Sequence, residues 1–313
     1  MMISKNTIRT VFSLALAGAS GFSFAQVLPD WQEWQQVSTQ GKSAWMVEVE
    51  NDSLLLKRDD RFFTAGDHLS RRFQLQSGTQ VVEYGWHLGQ DLYTGSDIKL
   101  TPAQMPVIDH PYAAWLYGGV WREQSDAAGR SWKVGVDIGC LGPCAAGEKS
   151  QEVLHKILRQ PQAQGWSTQL KNEAGIVLSG SYSPGKMLPW TGVEFRPLIK
   201  GRIGNIFTDA GVEAELRAGN LNLLPGQQAS YAFLRTELKW VGYNATVQGG
   251  YFRNQTLPVH IRHRGGEVEL GYRWQGAQWG VNASVVRRMN EIREITDATG
   301  NQNFVRLQFV YQN

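Results

Sequence analysis

The feature that most narrows the fold is a period of two that keeps returning along the chain. In "VVEYGWHLG", Val82, Tyr84, Trp86 and Leu88 share one face. In "SWKVGVDIG", Trp132, Val134, Val136 and Ile138 oppose Lys133 and Asp137, and "AAWLYGGVWR" groups Trp115, Tyr117 and Trp121. The last such run, "FVRLQFVYQ", sets Val305, Leu307, Phe309 and Tyr311 against Arg306 and Gln308. Side chains alternate in this way only on strands. There are about a dozen such runs of roughly 9–11 residues, the length with which a tilted strand crosses a bilayer, and barrels of this kind favour even strand numbers. Aromatic residues gather near the run ends, as at a membrane interface. Composition enters only here: 34 Gly, 12 Trp, 10 Tyr and 12 Phe suit a barrel wall but also a soluble β-sandwich.

The first residues, "MMISKNTIRTVFSLALAGASGFSFAQ", have a basic start at Lys5 and Arg9, a short apolar run, and small residues at Ser23 and Ala25. This is the pattern of a secretory signal peptide over residues 1–25, leaving a single domain over 26–313. Beyond it no window of about 18 apolar residues occurs, which excludes a helical membrane protein. Removing Lys5 and Arg9 from the 31 basic residues leaves 29 against 28 acidic ones, so nucleic acid has no electrostatic claim on the chain. Cys140 and Cys144 can pair in an oxidising compartment, though so small a loop removes little unfolded-state entropy.

One segment breaks the strand rhythm. Residues 142–175 are too long for a turn, and Val153, Leu154, Ile157 and Leu158 recur at helical spacing, with Pro161 as a stop. A second short helix is expected in "WSTQLKNE". His155 follows Gln151 by four residues, so both lie on one side of the helix, flanking its apolar face. An imidazole there, with one nitrogen held, offers the other as a base near neutral pH. A surface histidine is the plain alternative.

Asn51 and Asp52 close the strand "AWMVEVEN" before a charged loop with Asp59, Asp60 and Arg61, and Asn and Asp at such ends are commonly turn formers. Thr64 opens the next strand in step with Gly66, His68, Ser70 and Arg72, so simple alternation aims it at the lumen. His68 and Ser70 also share that face and leave a serine esterase open, given a third, acidic group.

Taken in order, "VENDSLL…DDRFFTAGDHLS", "HPYAAWLYGGVW" and "DIGCLGPCAAGEKSQEVLHKILRQPQAQGWSTQLKNEAGI" resemble the lipid A 3′-O-deacylases of Gram-negative outer membranes, across residues 47–176 and with a compatible strand pattern onward. The resemblance implies an all-β fold: a twelve-stranded antiparallel transmembrane barrel with its site at the outer rim, between the wall and the helical insertion. It implies a calcium-dependent esterase that removes the 3′-acyloxyacyl group of lipid A in lipopolysaccharide. By motif it assigns Asn51, Asp52, Thr64, Gln151 and His155 to catalysis, and Lys99 in "SDIKLTPAQ" to the substrate. Asp52 is the expected calcium ligand, since calcium takes oxygen donors. The expected setting is the lipid of the outer membrane, with the chain acting as a monomer. A phospholipase and a non-enzymatic pore remain as other readings of the same barrel.

Overall fold

The computed structural model describes residues 28–55, 61–222, 224–253 and 255–313. The leader expected at residues 1–25 lies outside these, as do Asp59 and Asp60. A helix, α1 (Trp31–Gln40), precedes the strands β1 (Lys42–Asn51), β2 (Phe62–Ser77), β3 (Gln80–Thr94), β4 (Ala113–Asp126) and β5 (Arg130–Leu141). After helix α2 (Gly147–Leu158) come β6 (Glu173–Pro184), β7 (Met187–Trp190), β8 (Val193–Gly204) and β9 (Phe207–Asn220). The chain ends with β10 (Ala229–Asn244), β11 (Arg264–Gln275), β12 (Trp279–Arg288) and β13 (Gln302–Gln312).

Every pairing is antiparallel. β13 pairs with β1, and β6 pairs with β8, so twelve strands close into a barrel while β7 is a short ribbon on β8 alone. Closure leaves none of the twelve barrel strands with a free edge, a condition for a sheet in hydrocarbon. At one end the strands turn tightly, as through Gly78, whose φ of 59° suits glycine. At the other end long loops cover residues 95–112, 142–172, 245–263 and 289–301. In outer-membrane barrels the long loops face outward and the short turns face the periplasm.

Alternation sorts the wall as the sequence anticipates. Val47, Leu88, Val120, Ile138, Leu178 and Leu270 are exposed on the outside. The inside is ionic: Glu269, fully buried, accepts from Arg306 at 2.7 Å, Arg235 at 3.0 Å and Ser284 at 2.6 Å. A buried carboxylate survives there because both of its oxygens are met by donors, two of them cationic. One aromatic group departs from the girdle pattern. Trp115 and Tyr117 turn into the lumen, where Trp115 joins Phe63, Tyr93, Leu141, Phe207 and Phe304 in an apolar cluster beneath the long loops. This packing fills the lumen at the loop end of the barrel.

Candidate active site

α2 lies against the outer wall of the barrel and is anchored at both ends of its loop. Gly142 donates to the Ala114 carbonyl at 2.9 Å, and Leu170 to that of Tyr112 at 2.8 Å. The helix starts where the wall permits close approach. A Cβ on Gly147 would come within 2.4 Å of the Ala114 Cβ and 2.8 Å of Leu92 Cδ2. Leu92 and Ala114 project outward and pack with Ala65, Tyr112, Ala145 and Trp166. At the base of this loop Cys140 and Cys144 form a disulfide, with their Cα atoms 6.0 Å apart.

The helix is amphipathic in an unexpected sense. Its buried residues are Gly147, Gln151 and His155, whereas Val153, Ile157 and Leu158 are exposed, Ile157 to 71%. Its polar side meets the wall and its apolar side faces out, the arrangement suited to lipid surroundings. α2 stops at Leu158 because Arg159 takes a left-handed conformation, φ 54°. The chain then doubles back, so the Pro161 carbonyl lies 2.6 Å from His155 Nδ1. A carbonyl only accepts, so Nδ1 carries the proton and Nε2 presents a lone pair. Gln151 does not hold His155 in this way. Its Oε1 accepts from Trp166 Nε1 at 2.7 Å, and its Nε2 is buried with no hydrogen-bond partner among the described residues. Trp166 sits in a single 3-10 turn (Trp166–Thr168), where the sequence suggested a second helix; β6 begins at Glu173 before that helix could form.

Thr64 is a correction. A bulge in β2 between Phe63 and Ala65 inserts one residue, so Phe63 opposes Tyr93 on the lumen side while Ala65 opposes Leu92 outside. Thr64 is turned to the outer wall, where its Oγ1 lies 2.6 Å from Thr94 Oγ1. Phe62, just before it, has a φ of 62°, costly for a residue with a side chain and of the kind that collects at functional sites. Asn51 stands across from Ala65 on β1, beside Thr64. It also keeps its turn-forming role: its Oδ1 accepts from the Ser53 amide at 2.7 Å and from the Ser53 hydroxyl. Asp52 is buried, and its Oδ2 accepts from the Arg61 amide at 3.0 Å.

Lys99 is exposed on the loop 95–112, next to Ile98, whose carbonyl accepts from Gln164 at 2.8 Å. That bond ties its loop to the segment that orients His155. His68 belongs elsewhere. Its ring sits in the lumen, 3.4 Å from Glu48 and 3.0 Å from Asp91, so both nitrogens face carboxylates and neither serves Ser70. Among the described residues no three His, Cys, Asp or Glu side chains cluster as a metal site. Pro161 and Trp166 were missed from sequence; the Pro161 role is carried by its backbone, which leaves no mark in residue type.

A closed barrel with a lipid-facing wall, long loops at one end and a buried histidine under a rim helix define an outer-membrane β-barrel protein with a site on its membrane face. A model of the family described as outer membrane protein LpxR matches residues 11–312, and the chain belongs to that family. The solved structure of LpxR from Salmonella typhimurium is similar with a TM-score of 0.70 at 21% identity, over 86% of this chain and 99% of that one. The β domain of the Bordetella autotransporter BrkA gives 0.46 at 11% identity, over 87% and 98%. The translocator domain of NalP from Neisseria meningitidis gives 0.43 at 10% identity, over 90% and 93%. No curated protein sequence matches the chain.

Proposed function

We propose that the protein is a lipid A 3′-O-deacylase of the outer membrane, an esterase that acts from the outer wall of its barrel on a lipid in the outer leaflet. The observation that carries this reading is His155: buried on the membrane face of the barrel, with its Nδ1 held by the Pro161 carbonyl, so that in the neutral ring Nε2 is the basic nitrogen. Nε2 takes a proton from a water molecule as the water oxygen bonds to the ester carbonyl carbon. The bond from that carbon to the sugar-side oxygen then breaks, and the proton passes to the leaving alkoxide. The Gln151 amide, held by Trp166 and with its Nε2 free to donate, and the Thr64 hydroxyl are suited to the developing oxyanion. Lys99, exposed on the neighbouring loop, suits a lipid A phosphate as a point charge.

The family resemblance implies calcium, and the oxygen chemistry beside Thr64 fits a hard cation better than zinc. Asp52, with the side-chain oxygen of Thr64, would hold the ion, while Asn51 braces the turn that carries Asp52, and the ion when bound would supply electrophilic polarisation of the ester carbonyl. No serine nucleophile is called for, in keeping with the engagement of His68 by Glu48 and Asp91.

Mass spectrometry of lipid A from cells making the protein tests the reading. The expected outcome is loss of the 3′-acyloxyacyl group, reduced about a hundredfold or more in folded His155→Ala and Asp52→Ala barrels, the scale of a lost general base. Chelation of calcium is expected to abolish the reaction as well. Phospholipid cleavage with intact lipid A would point instead to a phospholipase.

A further inference from the structure

The end of the barrel opposite the site carries a second arrangement that the deacylase reading does not use. Along the outer wall, the strand register sets Trp279 opposite Tyr311, Tyr311 opposite Trp45, Trp45 opposite Arg71, and Arg71 opposite Trp86. One arginine is thus inserted into a continuous row of membrane-facing aromatics. Its guanidinium lies 5.0 Å from the Trp45 ring and 4.8 Å from that of Phe73. No carboxylate among the described residues pairs with it, and its Nε is buried without a hydrogen-bond partner. A neighbouring outward cation, Arg122, is fully engaged: it donates to both oxygens of Glu33 on α1, at 2.7 and 2.9 Å. An uncompensated cation at the membrane boundary calls for an anion, and the bilayer supplies one as phosphate.

Beside Arg71 the wall is hollowed. α1 and the residues before it rest on the outside of β2 to β4, where Trp34 stacks edge-on against Phe73 and Tyr84. Between this arm and the wall runs a groove of about 610 Å3, lined by Leu28, Trp31, Trp34, Trp86, Val120 and Val136. Trp86 links the two features, since it opposes Arg71 and packs 5.5 Å from Trp45. A cation on an aromatic shelf, continuous with an apolar channel on the lipid side, matches a phosphate joined to an acyl chain.

We propose that this surface binds one glycerophospholipid of the periplasmic leaflet, with its phosphate on Arg71 and an acyl chain in the groove beneath α1. Its level, towards the short turns and away from the long loops, selects the leaflet and separates it from the lipid A site.

The test uses the full mature chain in detergent. Native mass spectrometry is expected to find one retained phospholipid, and dibrominated phosphatidylglycerol is expected to quench tryptophan fluorescence saturably. Arg71→Gln should lower retention at least tenfold, and Leu28→Glu, which alters only the groove, should weaken quenching. Heat-modifiable gel mobility confirms that each barrel is closed. Undiminished retention in Arg71→Gln, or lipid A as the retained species, would overturn the proposal.

Discussion

His155 owes its readiness to a backbone carbonyl, and Gln151 owes its orientation to an indole. Because Trp166 Nε1 fixes Gln151 Oε1, the amide nitrogen is committed as a donor. Trp166→Phe keeps the ring packing and removes that donor. It leaves a buried oxygen unmet at a cost of about 1–3 kcal/mol. The expected outcome is a fall in kcat with little change in KM, read from initial rates on lipid A micelles. At this scale the sequence shows which residue types stand at which spacing, and not the way their side chains point. The Asn51-Asp52 pair and the four-residue step from Gln151 to His155 were visible as residue types at a spacing. The outward turn of Thr64 was not, because one bulged residue reverses the parity on which alternation relies. Nor was the Pro161 carbonyl, which reaches His155 only through the left-handed turn at Arg159.

Among the elements, α2 carries the greatest functional demand. Its fit to the wall depends on Gly147, and Gly147→Val would drive a side chain into Ala114 and Leu92. This variant is expected to close its barrel normally yet lose most activity, checked by gel mobility beside the lipid A assay. The helix was legible from its period. Its orientation was not, since an apolar stripe reads the same whether it meets a protein core or lipid. α1 makes a different prediction. Burial pushes the Glu33 carboxyl up, but its bonds with Arg122 and Tyr84 outweigh this and hold it below the usual carboxylate range. A depressed value means the contact contributes above the ordinary pKa of about 4 and is lost only as pH falls through the lower one. Hydrogen exchange should therefore find α1 protected at about pH 5 and released on stronger acidification, with Glu33→Gln weakly protected throughout.

For the whole molecule, the barrel was written in the strand rhythm, because run length and alternation are local properties. The lumen's ionic lattice was not, since Glu269 meets Arg306 and Arg235 only once the four strands β10 to β13 lie side by side. Glu269→Ala would take one shared carboxylate from two half-buried guanidinium groups that keep Glu213 and Glu215, or Glu50 and Glu267, and is expected to cost about 1–3 kcal/mol in denaturant unfolding from vesicles. The reversed amphipathicity of α2 has a consequence for assembly. In water, Val153, Ile157 and Leu158 have no core to join, so their burial adds nothing that presses the polar side of the helix against the wall. The bilayer supplies that pressure and acts as a missing packing layer. On its way to the membrane the chain would then carry its site unassembled, and the site would be completed only by arrival in the bilayer.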